Sequence, residues 1–117
     1  MAYNYKDLST QVRGDDWTIR CTVTSEGNVV DVTGYTYTWT LKANIDDADP
    51  GNLQVIVVAS GVDATNGIVY LNADAINTNT LTPGTYNYDV QQVDTSGTVQ
   101  TLIIGKVKVV PDVTRST

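Results

Sequence analysis

Apolar and polar residues alternate with a period of two in three segments of the chain, which is the pattern of a strand with one buried face. The clearest is residues 81–93, LTPGTYNYDVQQV, in which a Pro-Gly turn leads into the alternating strand. Residues 17–24 and 35–42 alternate in the same way. We therefore predict a core built on the inward faces of these strands, with Trp17, Ile19, Trp39, Leu81, Tyr86 and Tyr88 as its main residues.

The spacing Leu-x-x-Gly-x-Tyr over residues 81–86 predicts a tyrosine corner. In Greek-key sandwiches, a tyrosine near the start of the sixth strand donates its hydroxyl to the backbone just upstream, where the chain crosses between sheets. We expect Tyr86 to make this bond, with Leu81 packed on the near side of the corner. The alternative is an ordinary hairpin turn followed by an amphipathic strand.

Turn residues divide the rest of the chain into further strands, about seven or eight in all. Residues 61–67 are expected to form a turn, with Asn66-Gly67 as a strong hairpin signal, and Gly105 is expected to mark a bulge or kink in the last strand. One helical turn is expected near residues 73–76. Because β-branched and aromatic residues dominate, the pattern predicts an all-β protein, an immunoglobulin-like Greek-key β-sandwich.

The length of 117 residues is enough for one domain, and a sandwich of about 100 residues fits it. We assign residues 13–111 to the sandwich and residues 112–117 to a C-terminal tail. Residues 1–12 are either a short edge strand or an arm that docks on a neighbouring subunit.

The net charge of −6 argues against binding to nucleic acid or to anionic membranes, since both need a clustered basic surface. No segment approaches the roughly 20 apolar residues of a membrane helix. The first residues have neither a basic region nor an apolar run, so we expect no signal peptide and synthesis in a cytoplasm. The single cysteine, Cys21, has no partner for an internal disulfide and is expected to be a small buried hydrophobe.

The chain contains no histidine, which excludes a Ser-His-Asp arrangement and most zinc sites. One cysteine without a histidine is not a convincing nucleophile, and the sequence has neither a phosphate-binding loop nor a dinucleotide fingerprint. Only carboxylates could support catalysis. We therefore predict that the protein is not an enzyme and has no cofactor.

The longest polar stretch, residues 43–52, contains an acidic cluster. Calcium takes six to eight oxygen ligands, which carboxylates in a flexible loop can supply. The spacing differs from the EF-hand pattern, and a solvated loop tip is the simpler interpretation. The candidate calcium ligands are Asp46, Asp47, Asp49 and Asn52.

The aromatic residues allow a second interpretation, a sugar-binding platform that includes Trp17, Trp39 and Tyr88. They share their strand faces with aliphatic residues, so core packing is the simpler one. The tripeptide Arg13-Gly14-Asp15 has the integrin-recognition sequence, although its Gly-Asp pair is explained as turn chemistry.

Several short motifs follow one another along the chain in a definite order. They are Gly14-Asp15-Asp16-Trp17, Val32-Thr33-Gly34-Tyr35, Asn66-Gly67-Ile68-Val69, Leu81-x-Pro-Gly-x-Tyr-x-Tyr-Asp-Val, Gly97, Gly105 and Val113-Thr114-Arg115. In this order, over about residues 12–115, the chain resembles the immunoglobulin-like virion structural proteins of tailed bacteriophages, and is similar to the N-terminal domains of baseplate upper proteins. The loop 45–52 is longer and more acidic than in that family, and the connection 72–80 is poorer in alanine.

The resemblance implies a structural role without chemistry. Such proteins dock, in several copies, on the capsid, neck, tail or baseplate, and their partners are other virion structural proteins. The expected location is the virion, after synthesis in the host cytoplasm. The alternative function is a carbohydrate-binding or adhesion module that contacts a host surface.

Overall fold

The structure, a computed structural model of the chain, describes residues 10–44 and 51–111, together with the backbone of residues 4–5. These residues form ten strands and two short helices. The strands are β1 Asn4–Tyr5, β2 Gln11–Val12, β3 Trp17–Thr22, β4 Thr24–Ser25, β5 Asn28–Val29, β6 Thr36–Lys42, β7 Leu53–Val58, β8 Ile68–Ala73, β9 Gly84–Val93 and β10 Val99–Val110. The helices are α1 Gly61–Thr65 and α2 Ala75–Thr78.

The strands pair into a large sheet and a small sheet. The large sheet has the order β1-β10-β9-β6-β7, and β2 pairs with β10 as well. Its pairs are antiparallel except for β1 and β2, which run parallel to β10. The small sheet is the antiparallel pair β3-β8, and β4 and β5 form a separate hairpin. The prediction of an all-β, sandwich-like fold is confirmed, whereas the immunoglobulin-like Greek-key connectivity stays a prediction.

The number of described strands, ten, is higher than the expected seven or eight. Four of them, β1, β2, β4 and β5, have only two residues each. A strand this short has no room for an alternating pattern. At the N-terminal end, β1 and β2 add to the edge of β10. The expected tail, residues 112–117, lies outside the described residues.

One apolar cluster connects the two sheets. The small sheet contributes side chains from β3 and β8, and the large sheet contributes those from β6, β9 and β10. Trp17, Ile19, Trp39, Leu81, Tyr86 and Tyr88 all belong to it and are only 1–7% exposed. Burial of each large apolar side chain contributes about 1.5–3 kcal/mol, so this cluster holds the two sheets together.

Three local features differ from the sequence-based expectations. The register of β10 against β9 shifts between Thr101 and Ile103, whereas Gly105 pairs regularly with Tyr88. Gly105 therefore leaves the space beside Tyr88 without a side chain instead of producing a bulge. The helix α1 occupies most of the expected turn at residues 61–67, and the hairpin signal at Asn66-Gly67 is wrong because β7 pairs with β6 and β8 pairs with β3. Ala64 of α1 packs into the core, and its carbonyl accepts the Val32 N–H at 3.0 Å. The helix α2 begins two residues later than expected, since β8 continues to Ala73.

Candidate functional site

The outer face of the large sheet, opposite the core, forms an open groove. The strand register places Thr40 between Gln54 and Asp89, and Asp89 beside Ile104. These side chains alternate with the core residues because consecutive residues of a strand point to opposite faces. The groove encloses about 370 Å³. Its outer-face lining consists of Thr38, Thr40, Lys42, Gln54, Asn87, Asp89, Gln91, Ile104 and Lys106, and we call it the polar groove.

The lining of the polar groove is rich in amides and hydroxyls. Thr40 is only 7% exposed, and its hydroxyl accepts a hydrogen bond from Nε2 of Gln54 at 3.1 Å. One carboxylate, Asp89, lies near the centre. At one end, the register aligns Lys42 with Asn87 and Asn87 with Lys106. The groove therefore offers many hydrogen-bonding groups, with positive charge at one end.

The opposite end of the same sheet face is apolar. The register aligns Val58 with Thr36, Thr36 with Val93, and Val93 with Val99. Val58 and Val99 are 60% and 58% exposed. Ile56, in the next row of β7, is 61% exposed. Exposed aliphatic side chains in one area of a sheet face indicate a surface that binds another molecule.

The strand β7 is also an open edge of the large sheet. Among the described residues it pairs with β6 alone. Its sequence, LQVIVV, contains no charged residue, no proline and no glycine. Natural sheet edges commonly carry charged residues, proline or a bulge, because these features prevent pairing with another chain.

The candidate calcium loop is only partly described. Asp46, Asp47 and Asp49 lie outside the described residues. The side-chain oxygen of Asn52 accepts the Ala43 N–H at 2.9 Å, and the Asn52 N–H donates to the Leu41 carbonyl at 2.8 Å. Asn52 thus closes the base of the loop. Within residues 10–44 and 51–111, no group of three or more acidic, histidine or cysteine side chains could hold a metal ion.

The aromatic residues considered for a sugar platform have their side chains in the core. Trp17, Trp39 and Tyr88 are 1–2% exposed. The indole N–H of Trp17 donates to the Val12 carbonyl at 2.9 Å, which ties β2 to the core. The indole N–H of Trp39 has no hydrogen-bond partner in the described part of the chain. These rings therefore stabilise the fold and present no binding face.

The tyrosine corner lies where the chain passes from α2 to β9. The Tyr86 hydroxyl donates to the Thr82 carbonyl at 2.5 Å, as the spacing predicted, and Leu81 is buried beside it. Sequence reasoning missed Thr78, which is fully buried. Its hydroxyl donates to the Asp15 carbonyl at 2.7 Å and accepts the Gly14 N–H at 3.1 Å. No local pattern marks this threonine, because its partners lie more than sixty positions away.

The same corner accounts for the Arg13-Gly14-Asp15 tripeptide. The Arg13 N–H donates to the Val110 carbonyl, and the Asp15 N–H donates to the Val12 carbonyl. The next residue, Asp16, accepts the Ala75 N–H at 2.6 Å and so caps α2. The backbone of this turn is therefore bonded to β10 and α2, and it has a structural role.

Buried titratable groups in the core are held neutral. Burial raises the pKa of the Cys21 thiol to about 11, so this thiol is protonated at neutral pH and is not a nucleophile. Burial also raises the pKa of Tyr37, with smaller contributions from Cys21 and Tyr35. The Tyr37 hydroxyl donates to Oε1 of the buried Gln92 at 2.7 Å. This buried hydrogen bond joins β6 to β9 and stabilises the large sheet.

Taken with its surfaces, the architecture defines an all-β, sandwich-like protein with an open sheet edge and a polar groove on the same sheet. No family model matches the chain, and no curated protein matches it. Neither of the two helices in the described part of the chain has the length and apolar character needed to cross a membrane.

Proposed function

We propose that the protein is a non-enzymatic structural component of a tailed-phage virion, present in several copies, with an immunoglobulin-like Greek-key sandwich. It docks on neighbouring virion proteins at the tail or baseplate, at a neck or fibre adaptor, or as capsid decoration. The order of motifs along the chain supports the phage assignment. The open edge of β7 is the observation that carries the docking role.

The edge strand β7 suits docking by strand addition. Alternate residues of β7 direct their backbone N–H and C=O groups to the side away from β6, and no other strand in the described part of the chain pairs with them. An extended strand of a neighbouring virion protein would pair with these groups through main-chain hydrogen bonds. Ile56 and Val58 would add apolar contact on the outer face. Because Leu53 is buried in the core, the strand is held firmly before a partner arrives.

The absence of an enzymatic role is part of the proposal. The chain has no histidine, and the thiol of its one cysteine is kept protonated by burial. The carboxylates of Asp31 and Asp94 stabilise turns by accepting backbone hydrogen bonds. Asp31 accepts the Thr33 N–H at 3.0 Å, and Asp94 accepts the Ser96 N–H at 2.9 Å. Asp89 is the one carboxylate among the described residues that line the polar groove, so no second carboxylate is present among them to form an acid–base pair.

Mass spectrometry of purified particles from the phage that encodes the chain tests the virion assignment. We expect its peptides at a stoichiometry of several copies per particle, and electron microscopy of the same particles will show which part carries them. Particles that lack the chain while the cell lysate contains it would overturn the proposal.

A pair of charge-matched variants tests docking through β7. Ile56→Lys places an ammonium on the outer face of the edge strand, whereas Val62→Lys places one on the exposed helix α1. Both side chains are exposed, so we expect each variant to keep its stability within about 0.5 kcal/mol. In particles that also receive tagged protein, Ile56→Lys is expected to be excluded and Val62→Lys incorporated. Equal incorporation of both would show that docking uses another surface.

A further inference from the structure

We propose that the polar groove on the outer face of the large sheet binds a short glycan through the hydroxyl groups of its sugars. This site is separate from the β7 edge and does not depend on the virion assignment. It also differs from the aromatic platform considered from the sequence, because those aromatic rings are buried. The proposal rests on the chemistry of the lining, the shape of the groove and its apolar contact.

The lining chemistry matches that of a polyhydroxylated ligand. The primary amides of Asn87 and Gln91 each carry both donors and an acceptor, and the Thr38 hydroxyl donates and accepts as well. Nε2 of Gln54 donates to the buried Thr40 hydroxyl, which orients the Gln54 amide at the side of the groove. Sugar hydroxyls also donate and accept, so adjacent hydroxyls can satisfy adjacent groups of the groove. The central carboxylate of Asp89 has two acceptor oxygens and already interacts within the protein, so a sugar hydroxyl would add to its contacts. Hydrogen bonds from hydroxyl donors to a carboxylate are charge-assisted and therefore of the stronger kind.

The sheet geometry presents these groups as a regular array. Neighbouring strands lie about 4.8 Å apart, and residues on one face of a strand repeat at about 7 Å. The register aligns Thr40 with Asp89 in one row, and Thr38 with Gln91 in the next. The volume of about 370 Å³ falls within the range of small-molecule sites, roughly 300–1,000 Å³. The groove can therefore contact more than one sugar unit at a time.

One half-buried aliphatic side chain adds an apolar surface to the polar array. Ile104 pairs across the strands with Asp89 and lines the groove beside it. The C–H faces of a sugar ring can pack on such a surface while the hydroxyls reach the amides. The outer-face positions of β6, β7, β9 and β10 include no aromatic residue, so we expect weak affinity for a single short glycan.

The same lining argues against nucleic acid as the ligand. Lys42, Lys106 and Lys108 share this face, but single-stranded nucleic acids also need aromatic side chains on which the bases stack. Asp89 at the centre would repel phosphates.

Titrations followed by 15N–1H NMR test the proposal on the whole chain. The probes are maltotriose and tri-N-acetylchitotriose, which are neutral, and trigalacturonic acid, which carries carboxylates. We expect saturable shifts confined to amides that line the groove. A response to the neutral probes indicates that the hydroxyls suffice, and a response to the acidic probe alone indicates that Lys42 and Lys106 contribute; either supports a glycan site.

Matched variants locate the binding. Asp89→Asn preserves shape and removes the charge, and loss of one charge-assisted hydrogen bond is expected to weaken binding about tenfold or more. Gln91→Ala is expected to weaken it less. Lys108→Ala lies on the same strand face outside the groove lining and is expected to leave binding unchanged.

Two results would overturn the proposal. The first is the absence of groove shifts with all three probes, in a chain whose NMR spectrum shows that it is folded. The second is binding that both Asp89→Asn and Gln91→Ala leave intact. Protection of the groove amides by a virion protein, together with silence toward the glycans, would reassign the groove as a protein contact.

Discussion

The corner at α2 and the edge at β7 differ in how their backbone groups are used. At the corner around α2, side-chain oxygens of Asp16 and Thr78 bond to backbone atoms that are distant in the chain, and the Tyr86 hydroxyl bonds to the Thr82 carbonyl. At the edge, alternate residues of β7 direct their backbone groups away from β6, and no strand among the described residues pairs with them. The comparison teaches that the corner is committed to the stability of the fold, whereas the edge strand keeps backbone and side-chain surface available for contact.

Trp39→Ala is expected to have the largest effect, because it removes the support on which both regions rest. Trp39 is nearly fully buried in β6, and its strand pairs with β7 on one side and β9 on the other. Truncating such a side chain costs about 3–5 kcal/mol. Thermal and urea unfolding measure it. Trp39→Phe is the control: it removes an indole N–H that has no partner, so it should retain the fold. A normal melting temperature for Trp39→Ala would contradict the core assignment.

Thr78→Val breaks the corner alone. The variant keeps the shape of a buried side chain but leaves the Gly14 N–H and the Asp15 carbonyl without their partner. Both bonds are only part-buried, so water replaces some of what is lost, and we expect a cost of about 1 kcal/mol and unfolding at a lower urea concentration. Thr80→Val is the matched control, since the Thr80 hydroxyl bonds to Asn77 at an exposed position.

The same two regions should have opposite effects on docking: a corner variant loses stability and still docks, whereas an edge variant keeps its stability and does not dock. Thr78→Val should still be incorporated into particles at a temperature where it is folded, whereas the stable variant Ile56→Lys should not. Loss of incorporation in folded Thr78→Val would show that the corner also makes a contact with a partner.

Tyr86→Phe tests the corner bond with a smaller change. The phenyl ring retains the core packing and loses only the hydrogen bond to the Thr82 carbonyl. A typical intramolecular hydrogen bond contributes about 0.5–1.5 kcal/mol, so we expect a loss in that range. Chemical denaturation measures it, and an unchanged midpoint would show that water replaces the bond without cost.

The smallest effect at neutral pH concerns Cys21, which lies in β3 of the small sheet. Its pKa is raised by burial to about 11, so folding favours the protonated thiol. The resulting stability is fully present below the ordinary thiol pKa of about 8.5 and is lost as pH rises toward 11. Urea unfolding at a series of pH values in this range measures the loss in the free energy of unfolding. Cys21→Ala should lack the first part of the alkaline loss, and the part due to Tyr37 should remain, because burial raises that pKa also.

Much of the core could be predicted from the sequence because alternation is a local property. Trp17, Trp39 and Tyr88 occupy alternating positions in single strands, and a period of two needs no knowledge of partners. Tyr86 could be predicted for a similar reason, since its hydrogen-bond acceptor lies only four residues upstream. Thr78 could not, because its partners come from a turn far away in the chain.

The polar groove could not be predicted from the sequence either. Thr40, Asp89 and Ile104 belong to three strands that are distant along the chain, and only the register brings them into one row. The bulge in β10 shows the same limit. We expected the bulge at Gly105 because glycine is common at bulges. The register shift lies instead between Thr101 and Ile103, because the pairing of β10 with β9 determines its position.

The sequence by itself determined which residues face inward and that the chain is all-β, because the side-chain period of a strand is set by its own backbone geometry. Only the tertiary structure decided that β7 is an outer strand and that the polar side chains of four strands form one groove. Strand order and register depend on contacts between distant segments, which no local pattern encodes.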